Sequence, residues 1–187
     1  HGTFEANAIE ILKPITKFCK QITNPNSIKY YLDKAFYEAQ NLRPGPIYLE
    51  IPLDIQSAKF DISKFKTFLP KKEKEKKINI NLLKKYLYKS NKPVFLLGNG
   101  INIAQQSKKI KEIIKKFKIP TLTTQLGKAA IDYKNKYFIG HTGPKGDRAG
   151  NLAIQNCDLI LILGSSLHSQ TIGWEHKKFS PNSFKIQ

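Results

Sequence analysis

Hydrophobic side chains recur every three or four positions between residues 26 and 41, which predicts an amphipathic helix. Its apolar stripe consists of Ile28, Tyr31, Leu32, Ala35, Phe36 and Ala39. Pro44 predicts the end of this helix, because proline disfavours helical geometry in the residue before it. The apolar run at 46–51, closed by Pro52, then predicts a buried strand. We expect Tyr31 and Phe36 to pack in the core.

From residue 80 onward, continuous apolar runs alternate with amphipathic segments. The pattern predicts helices around 83–87, at 103–117 and around 152–156, and strands at 93–97, 121–124 and 159–163. Continuous apolar strands separated by helices are typical of a parallel sheet with helices on both faces. The predicted fold class is therefore α/β.

Residues 57–79 connect the two patterns. Phe60, Phe65 and Phe68 are expected to anchor this segment to a neighbouring domain, and a mixed run of lysine and glutamate follows Pro70. Charged runs of this kind are usually solvated. We predict the C-terminal part of one α/β domain at 1–66, a basic linker at 67–79, and a second domain, incomplete at its C-terminus, at 80–187.

The formal net charge of +18 over 187 residues raises the question of a nucleic-acid partner. The excess is almost all lysine, since Arg43 and Arg148 are the only arginines, and nucleic-acid readers favour arginine. We therefore expect no nucleic acid as a partner. We also expect no membrane association and a cytoplasmic location, because no apolar run approaches the ~20 residues that span a bilayer. The chain contains no Met, so we expect it to be a piece of a longer protein.

Cysteines and histidines give no sign of a metal site. Cys19 and Cys157 are far apart, which favours two buried thiols over the alternatives of a disulfide or a reactive thiol. The histidines show none of the ligand spacings typical of zinc sites. We predict that His141 and His168 form hydrogen bonds on loops and that Asp147 caps the helix after it. Trp174 is expected in packing or at an interface.

Ligands of open parallel sheets bind beyond the carboxyl ends of the strands. The first such loop, Gly98-Asn99-Gly100, follows a predicted strand, and its glycines would let the backbone approach a phosphate. Ile103 occupies the position of the third glycine of a dinucleotide fingerprint, so a plain NAD site is not expected.

Two sequence segments identify a family. "RPGPIYLEIPLDIQ" at 43–56, preceded by "PITKF" at 14–18, resembles the end of the pyrimidine-binding domain of thiamine-diphosphate enzymes, above all acetolactate synthases (acetohydroxyacid synthases). The resemblance covers residues 1–187 and implies a Rossmann-like central domain after the linker. It implies a parent enzyme that decarboxylates a 2-oxo acid such as pyruvate and transfers the acyl unit. It also implies a homodimer or homotetramer, with thiamine diphosphate and Mg²⁺ held outside these residues.

In the central domain of that family, four loops surround FAD. The resemblance implies ten cofactor-binding residues here: Gly98, Asn99, Gly100, Thr123, Thr124, Gly140, His141, Gly143, Gly164 and Ser166. Flavin-binding members carry an arginine at the position of Ser166. Bound FAD and a scaffold without flavin therefore both remain open.

Three departures from the family limit what the chain itself is expected to do. Phe4 and Glu5 are adjacent, whereas the family places a glutamine between them, so neither is assigned a role. The family's catalytic glutamate and its G-D-G…N segment for Mg²⁺ do not occur, so no catalytic residue is predicted and the fragment alone is expected to be inactive. The alternatives are another thiamine-diphosphate enzyme, such as a decarboxylase or a C–C hydrolase or lyase of a surface-sugar pathway, or a non-catalytic FAD- or ADP-binding scaffold.

Overall fold

The computed structural model describes residues 6–70 and 78–187. These residues fall into two compact units that divide between Lys76 and Lys77. The division lies within the segment 67–79, for which the sequence predicts a linker. The lysine/glutamate run at 71–77, together with Phe4 and Glu5, lies outside the described residues.

Unit 1 contains a small parallel sheet. Its helices are α1 Ala8–Leu12, α2 Ile28–Gln40 and α3 Leu53–Ser57, its strands are β1 Phe18–Gln21 and β2 Ile47–Glu50, and its 3₁₀ helices are Lys13–Ile15, Pro25–Ser27 and Ile62–Lys64. β1 and β2 pair in parallel, from Phe18 opposite Ile47 to Gln21 opposite Glu50. The predicted helix and the predicted strand of this unit are confirmed to within two residues, but β2 is half-buried, not buried as predicted.

Lys17 connects the two characteristic segments of unit 1. Its Nζ donates to the carbonyl oxygens of Asn41 at 2.6 Å and Arg43 at 3.0 Å. Its backbone N–H donates to the carbonyl of Pro46 at 2.8 Å. Lys17 of "PITKF" therefore holds the turn of "RPGP", which explains why the two segments occur together.

Aromatic contacts hold α2 and the connector in place. The Tyr31 and Phe18 rings stack with their centres 6.4 Å apart. The centre of the Phe68 ring lies 5.6 Å from that of Tyr30 and 5.5 Å from that of Tyr37. Phe68 therefore anchors the connector to unit 1. Phe36 is 69% exposed, so its predicted core position in this unit is wrong. Each helical residue turns about 100° from the last, which carries Phe36 away from the direction of its buried neighbour Ala35.

Unit 2 is a five-stranded parallel sheet in the order β5-β4-β3-β6-β7. Its strands are β3 Pro93–Leu97, β4 Thr121–Thr123, β5 Phe138–His141, β6 Leu159–Leu163 and β7 Phe184–Ile186. Its helices are α4 Ile80–Lys89, α5 Gly100–Ile103, α6 Ser107–Phe117, α7 Arg148–Asn156 and α8 Ser169–Ile172, with 3₁₀ helices at Gln125–Ala130 and His176–Lys178.

The core of unit 2 lies on both faces of its sheet. Phe95 and Leu97 of β3 belong to one buried cluster, which includes Ile110 and Ile114 of α6. Val94 and Leu96, which alternate with them, belong to a second cluster, which includes Ile154 of α7 and Cys157. The predicted α/β class, a parallel sheet flanked by helices, is confirmed.

Two sequence predictions for unit 2 need correction. The helix predicted at 103–117 begins only at Ser107, because the chain turns at Gln105, whose φ of +55° does not fit a continuous helix, and Ile103 ends the short helix α5. Strands β5 and β7 were not predicted; both are short edge strands that pair on one side only. Within residues 6–70 and 78–187, no helix is long and apolar enough to cross a bilayer.

Candidate functional site

The carboxyl ends of four strands in unit 2 are joined by backbone hydrogen bonds. In each case a backbone N–H donates to a carbonyl oxygen of the next strand. The bonds run from Thr142 to Thr123 at 3.0 Å, from Thr124 to Leu97 at 2.9 Å, and from Gly98 to Leu163 at 2.8 Å. These bonds connect β5, β4, β3 and β6 in their order in the sheet. All ten predicted cofactor-binding residues therefore lie along one edge, which we call the carboxyl edge.

Two glycine-containing loops at this edge touch through their backbones. Gly100 N–H donates to the carbonyl of Gly164 at 2.8 Å. A Cβ on Gly98 would lie 2.2 Å from the Gly164 oxygen, and a Cβ on Gly100 would lie 2.7 Å from the Gly164 Cα. Gly164 itself has a φ of +65°. Contact between the loops is thus enough to require glycine at these three positions.

The ten residues differ in what they can present to a ligand. Four are buried and support the loops from below: Gly98, Thr123, Thr124 and Gly140. The other six reach the surface wholly or in part: Asn99, Gly100, His141, Gly143, Gly164 and Ser166. Side-chain contacts to a ligand at this edge would therefore come from Asn99, His141 and Ser166 within the predicted set.

His141 is held by its neighbours on β4 and α7. Its Nδ1 lies 2.5 Å from the Oγ1 of the fully buried Thr123, and its backbone N–H donates to Asp147 Oδ2 at 2.7 Å. Partial burial lowers the pKa of the His141 imidazole, the charge of Lys128 lowers it further, and Asp147 opposes the shift. The ring is therefore neutral at pH 7 and offers a hydrogen bond without a charge.

The Asp147 carboxylate has a different role from the predicted one. Asp147 occupies the N-cap position of α7, but its side chain makes no capping hydrogen bond. It accepts from His141 instead and so fixes the end of β5. The predicted N-cap position of Asp147 is confirmed, but its carboxylate bonds across the loop and makes no side-chain hydrogen bond to α7.

Asn151 clamps the loop after β5, a role that sequence reasoning did not predict. Its Oδ1 accepts from Gly143 N–H at 2.9 Å, and its Nδ2 donates to the Gly143 carbonyl at 3.0 Å. The Thr142 hydroxyl also reaches Asn151 Oδ1 at 3.3 Å. No local pattern marks an asparagine in a helix as a clamp, since its partners lie eight and nine residues away.

The loop after β6 carries two further residues of interest. His168 occupies the N-cap of α8, and its Nδ1 accepts from Gln170 N–H at 3.2 Å, which confirms the predicted hydrogen-bonding role. Trp174 follows α8 and is 91% exposed. Over the part of the chain that the structure describes, no three His, Cys, Asp or Glu side chains gather as a metal site would need.

The chain is similar to known proteins over most of its length. Residues 80–187 match the family model described as "Thiamine pyrophosphate enzyme, central domain". The chain is 30% identical to a probable acetolactate synthase large subunit of Methanocaldococcus jannaschii, with 96% of this chain and 31% of that protein covered. It is 26% identical to the acetolactate synthase isozyme 2 large subunit of Escherichia coli, with 97% and 33% covered. It is 29% identical to the acetolactate synthase large subunit of Lactococcus lactis, with 90% of this chain and 30% of that protein covered. The chain thus spans about a third of the length of these curated relatives.

Proposed function

The chain belongs to the thiamine pyrophosphate enzymes, whose central domain it contains, and from this membership we propose that it is part of an acetolactate-synthase-like enzyme. In this proposal the whole protein decarboxylates a 2-oxo acid such as pyruvate and transfers the acyl unit to a second 2-oxo acid. The observation that carries it is the similarity to acetolactate synthase large subunits, which extends over 90% or more of this chain and so includes both units.

The proposal gives the cofactor chemistry and the structural role to different parts of the whole protein. Thiamine pyrophosphate, when bound, supplies the carbanion stabilisation that decarboxylation of a 2-oxo acid needs. We assign the residues that hold it and Mg²⁺ to parts of the protein beyond this chain, which alone is then inactive. The role of unit 2 is to order the loops at its carboxyl edge. A homodimer or homotetramer in the cytoplasm is part of the same proposal.

The test is an assay of the protein expressed from its complete gene with pyruvate, Mg²⁺ and thiamine pyrophosphate. Acetolactate is the expected product, and the 187-residue chain alone should give none. Acetaldehyde without acetolactate would replace the transferase by a decarboxylase. No consumption of pyruvate or of other 2-oxo acids would contradict the proposal.

For the carboxyl edge we propose a scaffold that does not retain FAD. Asn99, His141 and Ser166 offer an amide, a neutral imidazole and a hydroxyl, all uncharged. Ser166 replaces the arginine fork expected of flavin-binding members, and one hydroxyl cannot make the paired, charge-assisted bonds of a guanidinium. Within the predicted set, the exposed side chains therefore offer a nucleotide only neutral contacts, although Lys128 has a positive charge near His141.

Flavin retention can be measured directly on the purified whole protein. The expected result is no visible flavin absorbance of the purified whole protein and, for the 187-residue chain, no quenching of Trp174, its only tryptophan, on addition of FAD. A yellow protein, or saturable quenching that the Asn99→Ala variant weakens, would contradict the scaffold proposal. The acetolactate assay would be unaffected by either outcome, so the two proposals fail separately.

A further inference from the structure

A groove lined by lysines lies between α6 and the turn before β5 in unit 2. Three of its residues, Lys108, Lys111 and Lys115, belong to α6, and Lys136 faces them from the turn before β5. Glu112, Asn135 and Tyr137 complete the lining, and the volume is about 420 Å³. We call it the lysine groove. Because Asn135–Tyr137 come just before β5, the groove lies toward the amino end of that strand, whereas the glycine loops lie at the carboxyl ends.

The wall formed by α6 is fixed by its buried face. Ile110 and Ile114 are 5% and 0% exposed and pack in the core beneath the sheet. Lys108, Lys111 and Lys115 follow one another at intervals of three and four residues, which puts them on one side of the helix. Burial of the isoleucines therefore holds all three lysines toward the groove.

The opposite wall is a turn closed by its own hydrogen bonds. Asn135 N–H donates to the Asp132 carbonyl at 3.0 Å, Tyr137 N–H to Asn135 Oδ1 at 3.0 Å, and Phe138 N–H to the Asn135 carbonyl at 2.9 Å. The Tyr137 carbonyl accepts from Thr121 N–H at 2.7 Å, which ties the turn to β4. Lys136 Nζ lies 5.0 Å from the centre of the Tyr137 ring. Both walls of the groove are thus held in place by the fold.

The groove has an uncompensated positive charge. It has four ammonium groups against the single carboxylate of Glu112, and none of the ion pairs formed among the described residues includes any of these five side chains. Like charges three or four residues apart on a helix repel each other. The helix dipole favours Lys115 in the last turn of α6 but disfavours Lys108 in the first. Glu112, which is four residues from Lys108 and three from Lys115, offsets part of this repulsion, and the face keeps a net positive charge that a bound anion would reduce.

We propose that the lysine groove binds a small anion that carries two or more linked phosphate groups. Its volume is in the range of small-molecule sites, which run from roughly 300 to 1,000 Å³. The groove is open to solvent and its four lysines are exposed, so the long side chains on both walls can bring their ammonium groups to neighbouring phosphates. A nucleic acid is a poorer fit, because neither Arg43 nor Arg148 lines the groove and base stacking would need exposed aromatic faces, whereas the ring of Tyr137 lies beneath Lys136.

The test is titration of the full chain with inorganic pyrophosphate at low ionic strength. Calorimetry measures the affinity, and the shift in unfolding temperature measures the stabilisation by the bound anion. The test variant carries Lys108→Gln, Lys111→Gln and Lys115→Gln. The matched control carries Lys84→Gln, Lys85→Gln and Lys89→Gln, three exposed lysines of α4. Both variants lose the same charge, so only local geometry distinguishes them.

Pyrophosphate should bind the parent chain, and the α6 triple variant should bind it about tenfold or more weakly, while the α4 control stays within about twofold of the parent. Without pyrophosphate the α6 variant should have about the stability of the parent, because the lost repulsion between lysines and the lost attraction to Glu112 offset each other. Equal weakening in both variants would assign binding to the diffuse charge of the chain and overturn the proposal. Absence of binding to the parent, or tighter binding of a glutamate-rich peptide or a DNA oligonucleotide than of pyrophosphate, would overturn it as well.

Discussion

The hydroxyl of Thr123 and the Nδ1 of His141 lie 2.5 Å apart across the adjoining carboxyl ends of β4 and β5. Thr123 is fully buried, so the His141 ring takes the place of water as the hydrogen-bond partner of its hydroxyl. The pair makes the state of one imidazole depend on the register of two strands. It also connects the candidate site to the stability of the sheet.

The free energy of unfolding should decrease as the pH falls, because His141 is harder to protonate in the folded chain than in the unfolded chain. Burial and Lys128 hold the pKa of its imidazole below 6.5 in the folded chain, so the unfolded chain takes up the proton first as pH falls. The free energy of unfolding should therefore be independent of this group above about pH 6.5 and decrease as pH falls from 6.5 through the folded pKa. Urea unfolding at a series of pH values measures this dependence.

The variants His141→Gln and His176→Gln separate this effect from general acid sensitivity. His141→Gln should reduce the dependence between neutral and mildly acidic pH, whereas the exposed His176 should leave it as in the parent. An unchanged dependence in His141→Gln would show that another group is responsible.

Gly98→Ala should destabilise unit 2 by about 1–3 kcal/mol, because the added Cβ would lie 2.2 Å from the Gly164 oxygen and neither backbone can yield easily. The comparison variant is Gly45→Ala, whose Cβ would meet the Lys17 side chain, at 2.8 Å or more, and no backbone atom. Its cost should be the lower of the two, at most about 0.5–1.5 kcal/mol, because it can only displace Lys17 from its two hydrogen bonds. Chemical denaturation measures both, and equal costs would contradict close loop contact at Gly98.

Lys17→Met should loosen the turn at 41–46 in unit 1, because two carbonyls lose their ammonium donor. The expected cost is about 0.5–1.5 kcal/mol, limited because the side chain is exposed. Hydrogen exchange by mass spectrometry should show faster exchange in this turn. Lys13→Met, at another exposed lysine, is the control and should leave exchange there unchanged.

The two thiols should react at different rates. Cys157 is 3% exposed, and burial raises the pKa of its thiol while the Ser180 hydroxyl, 3.4 Å away, opposes the shift. Cys19 is half-buried, and both thiols are free. Iodoacetamide should modify Cys157 more slowly than Cys19, by about tenfold or more, and the difference should vanish in denaturant. Peptide mass spectrometry measures the ratio, and faster labelling of Cys157 in the folded chain would contradict its burial.

Several elements were predictable because their signal is local. β3 and β6 are continuous apolar runs, and α2 has a single apolar stripe. Each element can therefore be predicted from a few neighbouring residues. The same holds for the α/β class, which follows from the alternation of such runs. The placement of the glycine loops at one edge then follows from the rule that parallel strands share their carboxyl ends.

Other features depend on partners distant in sequence. β5 and β7 are edge strands of four and three residues, and each is defined by the strand it pairs with rather than by its own composition. The Thr123–His141 contact joins residues 18 apart and exists only in one register of β4 and β5. The Asn151 clamp and the lysine groove likewise need two elements to approach each other. The chain's own pattern specifies the long helices and the buried strands. The edge strands and contacts of this kind arise only when packing brings segments together, because their energies depend on distances that no local pattern contains.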